Sequence, residues 1–224
     1  MPGLTYQALQ ERLSTYIGPV DDDDPKVRKR LHILRAAAEL FARQGYRKTS
    51  VDEVARVAGV AKGTVYSYFT NKVDLLIAAA AMEKRESIGA MAQVLDPSRP
   101  AAERLRRYLE LLLVLPSRMP ISTALISGDQ EMAAVIAELP PELIEQGKDD
   151  RRDFLIPLID EAARPHTWTP SELRDRADVL TGLVYLSPHL QAEHVRGEVS
   201  LPRYAEILAD LVVGGLRNDE GRPR

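Results

Sequence analysis

The sequence predicts an all-α protein. Three observations carry that expectation. Apolar residues recur three and four apart through most of the chain, the spacing that gathers them on one side of a helix. No segment alternates apolar and polar residues over the length of a strand, and no Asn-Gly or Asp-Gly hairpin dipeptide occurs. The punctuation is that of helix ends, with Ser, Thr, Asp or Pro before the apolar runs and Gly after several of them.

Taken in order, Tyr6, Leu9, Leu13, Tyr16 and Ile17 share a helical face, and Gly18-Pro19 ends that stretch. Asp24-Pro25 reads as a helix start, because a carboxylate accepts first-turn N–H groups and proline fits the first turn. The helix it opens carries Val27, Leu31, Leu34, Ala38 and Phe41 on one stripe, and Gly45 supplies the left-handed residue that closes it. Arg28, Lys29 and Arg30 read as its solvated face. Ser50 and Glu53 stand at capping-box spacing and open a short helix. Gly59 makes a turn, a second short helix starts at Lys62, and Thr70 or Asn71 caps a third that carries Val73, Leu75 and Leu76.

Beyond a break at Asp96-Pro97 and Pro100, helices are expected from Ala101 to Leu115, near Ile121, from Gln130 and from Glu142. Pro116 and Pro120 bound a loop, and Pro157 is expected to kink the helix that contains it. Thr169-Pro170-Ser171-Glu172 combines a cap, a first-turn proline and a capping-box acid, and opens a helix reaching about Leu186. A last helix begins at Pro202.

Composition removes several chemistries. The absence of cysteine excludes disulfides, cysteine-ligated metal and a thiol nucleophile. The first residues lack the basic and apolar regions of a signal peptide, and the longest apolar stretches are too short to span a bilayer. A cytoplasmic protein with no membrane partner is expected. GxSxG, P-loop and GxGxxG motifs are absent. His189, Glu193 and His194 match no metal-binding spacing and read as surface residues near a helix end. No catalytic residue, metal or cofactor is expected.

Charge is unevenly distributed. Between Pro25 and Lys72 there are eleven Lys or Arg and three Asp or Glu, a net charge of +8. The whole chain carries −3, so the remainder carries −11. A basic segment joined to an acidic remainder suits a protein that presents one part to polyphosphate.

The basic segment contains a helix-turn-helix over 51–70. Two short helices crossing steeply need a small residue at the crossing, and Ala55 provides it. The turn needs a residue tolerant of positive φ four places later, which is Gly59. Val54, Ala58, Val60, Val65 and Tyr68 are expected to point inward. The run Ile33-Leu34-Arg35-Ala36-Ala37-Ala38-Glu39-Leu40-Phe41, then Gly45-Tyr46, resembles the first helix of TetR-type (tetracycline-repressor-like) regulators. The continuation TSVDEVARVAGVAKGTVYSYFTNKVDLL, from Thr49 to Leu76, resembles the same family. The resemblance covers roughly residues 30–76 and implies a three-helix N-terminal DNA-binding domain over 25–72, followed by a larger C-terminal helical bundle. A helical ligand-binding and dimerisation domain is expected over 73–217, with an N-terminal extension over 1–24 and a polar tail over 218–224.

The second short helix is expected to enter the major groove with Ala61, Lys62, Gly63, Thr64 and Tyr66 outward. Lys62 suits guanine or phosphate, Gly63 permits close backbone approach, and Thr64 can touch a thymine methyl. Thr49 and Ser50 lie at a helix N-terminus, which favours phosphate. Lys48, Lys72 and Tyr68 are expected as backbone clamps.

A lone helix-turn-helix makes few base contacts, so a homodimer on a double-stranded palindromic operator is expected. Leu180, Leu183 and Val184 on one late helix, with Ile207, Leu208 and Leu211 on the other, are the interface candidates. Similar proteins pair these two helices into a four-helix bundle. Tyr108, Met119, Met132, Phe154 and Trp168 are candidates to line a pocket for a small-molecule effector. The resemblance implies a repressor released by that effector. The alternatives are an effector-independent architectural or division-linked DNA-binding protein of the same fold and, from another class, a helical metal-dependent enzyme.

Overall fold

The computed structural model describes residues 6–18, 23–126, 130–139, 141–165 and 167–217. The first five residues, most of the acidic stretch before Asp23 and the tail 218–224 lie outside them. The described residues are helices and connecting turns, without strands, and they divide into two compact units.

The first unit comprises residues 7–87 and 119–139. Its helices are α1 (Tyr6–Ile17), α2 (Pro25–Lys48), α3 (Val51–Val57), α4 (Lys62–Tyr66), α5 (Lys72–Ser87), α8 (Pro120–Ile126) and α9 (Gln130–Ala137). Asp24 caps α2 as its sequence requires, with its carboxylate accepting from the Lys26 N–H at 2.7 Å. Gly45 interrupts α2 at φ 81° and ψ 173°, a conformation almost closed to residues with a Cβ, so the long helix stops there and one more turn follows. Leu31, Ile33, Leu34, Ala37, Leu40 and Phe41 bury the inner face of α2. Asn71, one of the two expected caps, accepts from the Asp74 N–H at 2.8 Å and starts α5.

Helix α8 joins this unit through a contact with no local sequence signal. The Glu83 carboxylate on α5 accepts from the Ile121 and Ser122 N–H groups at 3.0 and 2.9 Å, satisfying first-turn donors of α8. Pro120 is the first residue of α8, and residues Leu115–Arg118 form a 3-10 turn where a loop was expected. The compact division therefore falls after Ser87 rather than after Lys72, because α5 packs on α2 and α8.

Among the described residues, the second unit comprises 88–118, 141–165 and 167–217. Its helices are α6 (Ala92–Leu95), α7 (Ala101–Val114), α10 (Pro141–Ala162), α11 (Pro170–Gly182), α12 (Glu193–Arg196) and α13 (Leu201–Arg217). Helix α7 is central, packed by α13 and α10, and α11 packs on α10. Leu105, Leu109, Leu155, Ile159, Ala177 and Ala209 form the dry middle of this core. Thr169 and Glu172 make the full capping box, and α11 passes into a 3-10 turn at Leu183–Leu186. Arg152 on α10 pairs with Asp178 on α11 through two bonds of 2.8 Å. Pro157 lies inside α10, exposed.

Candidate nucleic-acid interface

The helix-turn-helix is assembled from its connections. Thr49 donates its hydroxyl to the Gly45 carbonyl at 2.8 Å, and Ser50 caps α3 by accepting from the Glu53 N–H at 3.1 Å. The reciprocal half of a capping box is absent, because the Glu53 carboxylate accepts instead from the Gln44 side-chain amide at 2.7 Å. That bond ties the end of α2 to the start of α3.

The turn after α3 is a complete Schellman motif. Gly59 has φ 61°, its N–H donates to the Arg56 carbonyl at 3.2 Å, and the Val60 N–H donates to the Ala55 carbonyl at 2.9 Å. The carbonyls of the last turn are thereby satisfied and the chain is re-aimed within three residues. Val54, Ala55, Ala58 and Val65 are buried between the two helices. Val60 and Tyr68 are half-buried, and Phe69 occupies the inner position next to Tyr68.

Helix α4 consequently has two faces. Val65 is buried, while Ala61, Lys62 and Gly63 before it are exposed, Thr64 is half-buried and Tyr66 is 47% exposed. Gly63 has no positive φ, and a Cβ built on it would meet nothing within 4 Å, so nothing inside the molecule requires glycine there. Lys62 does not extend freely: its ammonium donates to the Asp52 carboxylate on α3 at 2.8 Å, and that partner raises its pKa. Lys48 is exposed, and the Lys72 ammonium sits 3.9 Å above the Tyr46 ring, which stacks on Phe41.

Two sequence readings are revised. Thr49 is 1% exposed with its hydroxyl bonded to Gly45, so its side chain holds the turn and offers no donor outward. Arg30 does not share the solvated face of Arg28 and Lys29. Its guanidinium lies 4.6 Å from the Phe69 ring centroid and 3.5 Å from the Tyr16 carbonyl, and burial lowers its pKa. Arg30 thus links α1, where Leu13 and Ile17 are buried, to the end of the helix-turn-helix. The acid Asp52 escaped the sequence reading. Its signal was there, as one of three acids in a segment of net charge +8.

Residues 33–79 match the tetR family of bacterial regulatory proteins, the stretch from the inner face of α2 through both short helices into α5. Over that stretch the chain is similar to tetR-family regulators. The fatty acid metabolism regulator protein of Bacillus subtilis (strain 168) is 34% identical over 107 residues, covering 48% of this chain and 50% of the relative. The chain thus spans half the length of that relative. Two solved structures share the fold over nearly their whole length. NalD, the secondary repressor of the MexAB-OprM multidrug efflux pump in Pseudomonas aeruginosa, aligns with a TM-score of 0.62 and 23% identity, covering 88% of this chain and 100% of NalD. AibR, solved with isovaleryl coenzyme A and operator DNA, aligns with a TM-score of 0.58 and 22% identity, covering 82% of this chain and 97% of AibR.

The C-terminal candidates fall as follows. Tyr108 and Phe154 meet in the second unit with ring centroids 5.5 Å apart. Burial pushes the Tyr108 hydroxyl up to about 12, with Arg151 opposing. Trp168, half-buried in the same unit, lies under the Arg176 guanidinium at 3.8 Å. Met119 and Met132 belong to the first unit. Of the interface candidates, Leu180 is buried in the core of its own unit, because α11 turns that residue toward Ala177 and α10. Leu183, Val184 and Leu208 are half-buried, and Ile207 and Leu211 are 38% and 68% exposed. Val179, at 68%, stands outward where Leu180 does not. His189 and His194 are exposed, and among the described residues no three His, Asp or Glu gather as a metal site. Among those residues no helix is long and apolar enough to cross a membrane.

Proposed function

We propose that this chain is a sequence-specific transcriptional regulator that binds a palindromic operator as a homodimer. Acting in the cytoplasm without catalytic chemistry, it represses until a small effector releases it. One observation carries the DNA-binding half: α4 buries Val65 and turns Lys62, Gly63 and Tyr66 outward within a segment of net charge +8. A short basic helix presented this way enters a major groove, where Lys62 and Tyr66 meet base edges or phosphates and Ser50 and Thr64 flank them. Ala61 and Tyr68 sit at the margins of the contact, and Lys48 and Lys72 clamp the backbone.

The dimer reading rests on the outward apolar residues of the last helices, Val179, Ile207 and Leu211. Large exposed apolar side chains clustered on late elements are a surface that a second copy can cover. For the effector we favour an acyl compound with an apolar tail and a polar head. The support is the fatty acid regulator among the relatives, the isovaleryl coenzyme A held by AibR, and the Tyr108–Phe154 pair beside an apolar core. Tyr108 would offer its hydroxyl to the polar part of such a ligand.

The deciding experiment is selection of bound fragments from random-sequence DNA by the purified protein, followed by titration of the selected duplex with acyl-coenzyme A thioesters. Recovery of one two-fold symmetric site, lost in the Lys62→Ala/Tyr66→Ala variant, supports the reading. Recovery of no preferred site by the folded wild-type protein refutes it. Retention of the duplex across the thioester series refutes the effector class alone.

A further inference from the structure

The ion pair between Lys62 and Asp52 joins the first residue of α4 to the first turn of α3, across the turn that defines the motif. Two acids stand in that first turn of α3, and they are used differently. Glu53 points toward α2, taking the Gln44 amide at 2.7 Å with Arg56 at 4.0 Å. Asp52 points the other way, and its side chain is 66% exposed beside a Lys62 side chain that is 52% exposed. The stability value of so open a pair is small, so stability is a poor reason for a carboxylate at this place. Its effect on DNA is larger. A phosphate-facing surface normally gains from every positive charge and loses from every negative one.

We propose that Asp52 determines specificity by positioning Lys62. The carboxylate holds the ammonium over the start of α4 and keeps it from moving to the nearest phosphate. An ammonium has three donors, so the one held by Asp52 leaves two for the acceptors of a base edge, such as O6 and N7 of guanine. Lys62 then meets a base from a fixed direction. On DNA of the wrong sequence the same carboxylate takes away one favourable phosphate contact and adds repulsion. Asp52 therefore weakens binding everywhere and weakens it least at the right site. This inference rests on the reading of α4 as the DNA-reading helix.

The test compares wild type, Asp52→Asn and Lys62→Ala on two duplexes, the one selected by wild-type protein and a scrambled one of equal length, across a salt series. Thermal melts confirm that each variant is folded. For Asp52→Asn the affinity for scrambled DNA should rise and its salt slope steepen by about 0.9, the signature of one additional phosphate contact. The ratio of selected to scrambled affinity should fall about tenfold, the order expected when one base contact loses its direction. A ratio unchanged in Asp52→Asn, with Lys62→Ala still weakening binding to the selected duplex, overturns the positioning role and leaves the helix assignment standing. If Lys62→Ala leaves both affinities at wild-type values, Lys62 is not on the DNA face, and the inference falls with the reading beneath it.

Discussion

Replacing Gly63 with alanine should move two properties in opposite directions. Gly63 is the second residue of α4, exposed, without positive φ, and with open space where a Cβ would stand. Alanine costs nothing sterically there and gains helix propensity, about 1 kcal/mol in a helix interior and about half that so near a helix end. Folding stability should therefore rise by about 0.5 kcal/mol, or roughly 1–2 °C in melting temperature for a chain of this size. The same methyl projects from the outward face of α4 and holds its backbone off the base edges. Operator affinity should fall about tenfold, the loss of one good base contact. Gly59→Ala is the control of opposite sign: at φ 61° a Cβ is strained, and stability should drop by about 1 kcal/mol. Thermal melts and a fluorescence titration of the selected duplex measure both quantities. A Gly63→Ala protein that melts no lower and binds the duplex as tightly as wild type would refute the claim that this face approaches DNA.

Three further outcomes are expected. Lys48→Ala and Lys72→Ala should each reduce the salt slope of DNA binding by about 1, for selected and scrambled duplexes alike; slopes equal to wild type would remove them as phosphate clamps. The wild-type protein should sediment as a dimer at micromolar concentration, and Leu211→Glu, which puts a charge on a side chain now 68% exposed, should shift it to monomer without lowering the melting temperature of the monomer; a monomeric wild type would end the interface proposal. Tyr108 should ionise near pH 12, against about 10 for an unhindered tyrosine. Because its folded pKa is raised, its contribution to stability is fully present below about pH 10 and is lost as pH rises toward about 12. Tyr108→Phe should therefore lose less stability than wild type over that window in denaturant titrations, and parallel losses would contradict the assignment.

Much of the site was legible because local rules govern it. Ser50, Gly59 and Asn71 act through backbone groups within three or four residues of themselves, so their spacing announces them. The inward positions Val54, Ala55 and Val65 follow from helical periodicity in the same way. Which way a residue of the right type faces was harder to read. Thr49 looked like a phosphate ligand from its place before a helix, yet the fold turns it inward onto Gly45. Leu180 belonged to the right stripe, but a one-residue rotation separates a core leucine from an exposed valine on a helix packed along one side.

By itself the sequence determined the all-helical class, the register of the helix-turn-helix and the concentration of positive charge around it, because caps, periodicity and composition are properties of neighbouring residues. Only the tertiary structure decided that Glu83 caps α8, that Arg30 leaves the solvated face of α2 for the Phe69 ring, and that Asp52 holds Lys62. Each of these joins different elements, ten residues apart for Asp52 and Lys62 and 38 or more for Glu83 and α8. A side chain's partner across such a distance depends on how the helices pack, and neither periodicity nor capping patterns carry that information.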